Sequence, residues 1–220
     1  AWSSGGNLNT ARFGVMSGGN TTAAIAGAGN TTDGGGPGMT NVVESYDGSS
    51  WSEVAEVNTA RAFGASGTQT PATAAIIFAG NKGPSYSADT ETWNGSSWTE
   101  TGNLNTARGN LMGAGSTSTA AIASSGYPGP ITSTESWNGS AWTEIAEINT
   151  VRPEGAAGTG TSTAAFIIGG TDPSSPPGGK QAKVEEYDGS SWTETTDINT
   201  ARGYMSSAGS VTDSIIGGGN

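Results

Sequence analysis

One tetrapeptide returns at nearly constant spacing along the whole 220-residue chain, and no other feature restricts the fold as much. Asn-Thr-Ala-Arg occupies Asn9 to Arg12, Asn58 to Arg61, Asn105 to Arg108 and Asn199 to Arg202, and Asn149 to Arg152 differs only by Val151. The arginines lie 49, 47, 44 and 50 residues apart. About ten residues before each stands a tryptophan: Trp2, Trp51, Trp98, Trp142 and Trp192. Four of these tryptophans follow Glu-x-aromatic-Asp/Asn-Gly, which runs Glu44 to Gly48, Glu91 to Gly95, Glu135 to Gly139 and Glu185 to Gly189. After each arginine comes a small-residue stretch, then an apolar run ending in glycine at 23–29, 74–80, 120–126, 164–170 and 213–219.

Each period reads as four short strands. Strand a follows the arginine, strand b is the apolar run, strand c carries the glutamate and the aromatic residue, and strand d starts at the tryptophan. Asp-Gly or Asn-Gly between c and d predicts a tight hairpin, because both residues tolerate positive φ. No segment shows helical periodicity of useful length. Four-stranded units of this length fit radial blades, so the expectation is an all-β, five-bladed β-propeller in a single domain, 1–220. A β-solenoid is the other candidate, but its rungs are shorter and lack this hairpin chemistry. The chain holds five a strands, five b strands and five d-type tryptophans, but four c strands. A circular arrangement puts the amino-terminal strand led by Trp2 into the last blade. That closing blade then has three strands, unless flanking sequence or a neighbouring chain supplies the fourth.

The pattern resembles the kelch repeat, in which an Arg precedes the innermost strand, a Gly doublet ends the second, Glu-x-Tyr-Asp lies on the third and Trp on the fourth. The likeness covers nearly the whole chain and is clearest in Ile167-Ile168-Gly169-Gly170, Val184-Glu185-Glu186-Tyr187-Asp188 and Trp192. It departs at Ala79-Gly80 and Ser125-Gly126, where the doublet decays, and at Trp93 and Trp137, which replace Tyr. The compact Trp-Asn-Gly-Ser-Ser-Trp-Thr-Glu style is also similar to repeats in structural proteins of marine bacteriophages and surface proteins of marine bacteria. That similarity implies an extracellular, virion or cell-surface location.

Composition narrows the chemistry. With no cysteine and no histidine, thiolate chemistry, the commonest general base and the commonest transition-metal ligand are all missing, so no metal or cofactor is expected. A formal net charge of -11 argues against nucleic-acid binding. No apolar run approaches the ~20 residues that span a bilayer, so no membrane insertion is expected. Ser45-Tyr46-Asp47-Gly48-Ser49-Ser50-Trp51 imitates the Asp-box of sialidase-type propellers, but its glycine comes one place early. A nucleophile without a positioned base is no catalytic constellation, and the reading is a non-enzyme.

Repeat-matched residues are assigned to structure. Arg12, Arg61, Arg108, Arg152 and Arg202 are expected to fix the d-to-a loops through backbone carbonyls or the repeat glutamates. Trp51, Trp98, Trp142 and Trp192 are expected in the inter-blade core. Function is sought where the repeats differ. The b-to-c loops vary and hold all three lysines, Lys82, Lys180 and Lys183, together with Tyr86, Tyr127, Asp33 and Asp172. Tyr86 and Tyr127 are the first candidates for stacking on sugar rings, with Asp172 and Lys82 as polar partners. A second candidate group lies two residues after the arginines, at a channel mouth: Phe63, Asn110, Glu154 and Tyr204, with Gly14 in the first repeat. These features predict a binding module for glycan or a cell-surface protein. The alternative is a structural or protein-interaction module, such as a virion or surface decoration that assembles with other virion or surface proteins.

Overall fold

The computed structural model describes residues 5–32, 38–69, 71–129, 131–172, 174 and 179–220. Trp2 and Asp33 lie outside them, and so does the amino-terminal strand expected to join the last blade. Every regular element among the described residues is a β-strand. Four antiparallel sheets each have four strands in sequence order. The first is β1 (Met16–Gly19), β2 (Ala24–Gly27), β3 (Val43–Tyr46) and β4 (Trp51–Val54). The second is β5 (Ala65–Ser66), β6 (Ile76–Phe78), β7 (Thr90–Trp93) and β8 (Trp98–Glu100). The third is β9 (Met112–Thr117), β10 (Ala120–Ser124), β11 (Thr134–Trp137) and β12 (Trp142–Ile145). The fourth is β13 (Ala157–Gly160), β14 (Ala165–Ile168), β15 (Val184–Tyr187) and β16 (Trp192–Glu194). A fifth sheet has two described strands, β17 (Met205–Gly209) and β18 (Ser214–Gly218). This up-and-down arrangement places the chain in the β-propeller-like class.

Side chains of all five a strands line one cavity of about 180 Å³, among them Met16, Ala65, Met112, Ala157 and Ser207. Small residues let these strands approach. A Cβ on Gly113 of β9 would sit 2.5 Å from the Ser66 carbonyl of the neighbouring sheet, so no larger residue fits there. The b strands end in a second backbone constraint. Ala28, Ala79, Ser125 and Gly169 have φ of 58°, 61°, 66° and 55°, a left-handed region that small residues enter at modest cost. The next residues, Gly29, Gly80, Gly126 and Gly170, have φ of 102–118°, where glycine alone is at ease. The first glycine of the doublet is therefore replaceable and the second is not.

The c-to-d connections are hairpins as expected, but only one residue of each Asp-Gly or Asn-Gly pair takes positive φ. Tyr46 pairs with Trp51, so four residues form the turn. Only the glycine has positive φ, 98° at Gly48. Asp47 acts through its side chain: Oδ1 accepts the N–H groups of Ser49 and Ser50, both at 2.9 Å. Asn94, Asn138 and Asp188 cap their turns in the same way. These donors hold the exposed Asp47 and Asp188 carboxyls at pKa values of about 2.

Aromatic residues facing each other across c and d stack at 5.1–5.5 Å, in the pairs Tyr46–Trp51, Trp93–Trp98, Trp137–Trp142 and Tyr187–Trp192. The last three pairs are buried against the preceding sheet. Trp93 and Trp98 share a cluster with Ile25 and Val43, Trp137 and Trp142 with Ile76 and Phe78, and Tyr187 and Trp192 with Ile122. Trp51 is the exception to the expected core role. It is half-buried, donates Nε1–H to the Gly6 carbonyl at 3.1 Å, and borders a cavity of about 410 Å³ beside Ser207 and Ala208 of β17.

Candidate binding surface

Four of the five repeat arginines are removed from any ligand by their own partners. Arg12, Arg61, Arg108 and Arg152 pair with Glu44, Glu91, Glu135 and Glu185 at 3.1, 2.8, 2.9 and 2.7 Å. Their side chains are 0% exposed. The other oxygen of each glutamate accepts the backbone N–H and the side-chain amide of the tetrapeptide asparagine, at 2.7 and 2.8 Å for Asn58 on Glu91. In Arg12, Arg108 and Arg152 further guanidinium donors reach carbonyls, as from Arg152 to Lys183 at 2.7 Å and from Arg108 to Ser133 at 3.0 Å, whereas Arg61 keeps Glu91 as its one side-chain partner among the described residues. Burial pushes the pKa of Arg12, Arg108 and Arg152 down, and the neighbouring glutamate opposes this. The clamp ties each d-to-a loop to the c strand of the sheet it enters.

The residues just after these arginines form an open mouth. A cavity of about 580 Å³ is lined by Phe13, Phe63, Asn110 and Tyr204, with Gly14 and Gly155 beneath them. Gly14, Phe63, Asn110, Gly155 and Tyr204 all have φ of 56–65°. They are linked by backbone bonds from Phe63 N to Gly14 O at 2.9 Å, Asn110 N to Phe63 O at 2.7 Å and Tyr204 N to Gly155 O at 2.8 Å. The fourth repeat corrects the expected register. Glu154 lies two residues after its arginine, but Pro153 adds a residue, and Gly155 takes the left-handed position. Glu154 instead bridges Thr171, as Phe13 bridges Asn30 and Ala62 bridges Asn81. Its carboxylate still reaches the mouth, accepting the Tyr204 hydroxyl at 2.5 Å. Burial, then this bond to an anion, pushes the Tyr204 pKa up to about 12. The Asn110 amide makes no side-chain hydrogen bond among the described residues.

Phe13 escaped sequence reasoning. Its ring meets Phe63 edge-on at 5.7 Å and is 40% exposed. The available signal was its size, at a place where other repeats carry Ala62 or Gly109. Tyr86 and Tyr127 come together edge-to-face at 5.6 Å, but neither lines the mouth. Tyr86 packs over Gly109, and Tyr127 is exposed. The proposed polar partners have local duties. Lys82 pairs with Asp89 at 2.9 Å, and Asp172 Oδ1 accepts the N–H of Ser174 at 3.0 Å. Lys183 pairs with Glu194 at 2.8 Å. Among the described residues no cluster of three metal-ligating side chains occurs, and no helix is long and apolar enough to cross a membrane.

No protein-family model matches the chain, and no curated protein matches it.

Proposed function

We propose that residues 1–220 form one five-bladed, kelch-like β-propeller whose open mouth is a non-catalytic binding site for glycan or other cell-surface structures. The shared cavity of the five a strands supports the radial arrangement. One observation carries the binding reading. Phe63 and Tyr204 hold φ of 57° and 56° at positions where the first and fourth repeats use glycine. A bulky residue there costs about 1–3 kcal/mol, and such strain gathers at ligand sites. Both aromatics line the mouth beside Phe13 and the free amide of Asn110. Aromatic faces with a few polar groups suit the apolar faces and hydroxyls of a sugar. A non-catalytic binder of this kind fits an extracellular, virion or cell-surface location.

The test is a glycan array followed by calorimetric titration of the chain and its Phe63→Gly variant. Glycine accepts the same backbone geometry, so the fold is kept while the ring is lost. Binding of an array ligand, weakened at least tenfold in the variant, is the expected result. No ligand on the array, or equal affinity in both proteins, overturns the proposal. A structural or protein-interaction module is the second reading, favoured by the outer edge of β18, which pairs with no strand among the described residues.

A further inference from the structure

The mouth combines aromatic walls with a carboxylate, and no lysine or arginine side chain lines it. Phe13 and Tyr204 are 40% and 50% exposed, so their ring faces are open to a ligand. Glu154 stands at the rim, and its backbone is held by two bonds to Thr171, at 2.7 and 3.3 Å. One oxygen of its carboxylate accepts the Tyr204 hydroxyl at 2.5 Å. The other oxygen meets no donor and no cation among the described residues. Tyr204 has given its one proton to Glu154, so its own oxygen keeps only lone pairs for a ligand. The field of the carboxylate also reaches the neighbouring tyrosine pair. Burial, then Tyr127, then Glu154 push the Tyr86 pKa up. Elsewhere Lys82 and Lys183 are tied to Asp89 and Glu194, and the chain carries a net charge of -11. That charge balance draws cations towards the protein.

We propose that the ligand of the mouth is a glycan that carries a free amine in its ammonium form, a hexosamine without its acetyl group. The inference rests on the reading of the mouth as a glycan site. The ammonium donates to the open oxygen of Glu154 and to the Tyr204 oxygen, and lies against the exposed aromatic faces. A charge-assisted hydrogen bond and a cation–π contact then act on the same group. A neutral hydroxyl forms the hydrogen bond without either electrostatic gain. Acetylation removes the charge, and an acidic sugar is repelled by Glu154. A metal ion fits less well, since hard cations take six or more oxygen ligands and the rim supplies one carboxylate.

The test titrates the chain by calorimetry with two probes, the trisaccharide of glucosamine and its fully N-acetylated form, at a pH where the amine is charged. The amine form should bind at least tenfold more tightly than the acetylated one. Glu154→Gln keeps an acceptor for the Tyr204 hydroxyl and should cut that preference to less than about twofold. Glu100→Gln removes an exposed carboxylate outside the mouth and should leave the preference whole. Equal loss of preference in both variants overturns the proposal, because net charge and not the mouth is then the cause. Equal affinity for the two sugars, weakened by Phe63→Gly, overturns it while the glycan reading of the mouth stands. Binding of neither sugar overturns it as well, and the array then decides the glycan reading separately.

Discussion

Arg108 and Arg202 end the same tetrapeptide, yet one is sealed inside the protein and the other borders a groove. Arg108 meets Glu135 at 2.9 Å, Ser133 O at 3.0 Å and Ala123 O at 3.3 Å. Among the described residues Arg202 meets one carbonyl. The tetrapeptide is thus half of a device whose other half is a c strand 27 residues further on, as in the Arg108–Glu135 pair. A guanidinium is buried at acceptable cost when a carboxylate takes up its charge, as Glu91 does for Arg61.

Removing the partner where it exists should have the largest effect. Glu135→Ala leaves Arg108 charged and buried, and also removes the carboxylate that accepts the Asn105 backbone N–H and side-chain amide. A loss of about 3–5 kcal/mol is expected in urea unfolding followed by tryptophan fluorescence. Arg202→Met should change stability by less than about 1 kcal/mol. Equal losses would break the contrast between complete and incomplete clamps.

The tryptophans extend the contrast to packing. Trp142→Ala should cost roughly 3 kcal/mol, since the ring is buried against Phe78 at 4.8 Å and bonded to Thr90 at 2.9 Å. Trp51→Ala, at the boundary facing β17, should cost about 1 kcal/mol, and Tyr86→Ala, outside the repeat core, no more. Thermal melts with similar shifts for all three would remove the division between filled and open boundaries.

The smallest effect is the sharpest. Trp142 and Trp192 donate Nε1–H to Thr90 and Thr134 on the preceding sheet, at 2.9 and 3.1 Å. At the matching place before Trp98 stands Val43, and the Trp98 Nε1 is buried without a partner. Val43→Thr should therefore raise stability by about 1 kcal/mol. Val184→Thr, at a boundary with no tryptophan among the described residues, should lower it by about the same amount, because its hydroxyl gains no donor there. Gains at both sites in chemical denaturation would show that the partner is not the cause.

Strand positions were legible because each is announced locally: glycine ends a b strand, Glu-x-aromatic makes a c strand, and tryptophan opens a d strand. The turn was located correctly and its mechanism was not. The side chain of Asp47, not its backbone, does the capping, and Asp-Gly suits either arrangement. Within the mouth, Phe63, Asn110 and Tyr204 were placed together by counting from the arginine. The same count failed at Glu154, because Pro153 shifts the backbone by one residue. Phe13 was passed over because one residue in one repeat carries no periodic signal.

The sequence by itself determined the period, the order of four strands and the residues of each half-clamp. Those depend on backbone preferences and on alternation within a few residues. Tertiary structure alone decided which copies find their partners. The contacts that bury Trp142 and Trp192 join residues 52 and 58 apart, in neighbouring sheets. Identical motifs at Trp51 and Arg202 meet different surroundings, because burial belongs to the surface a residue is packed against and not to the residue.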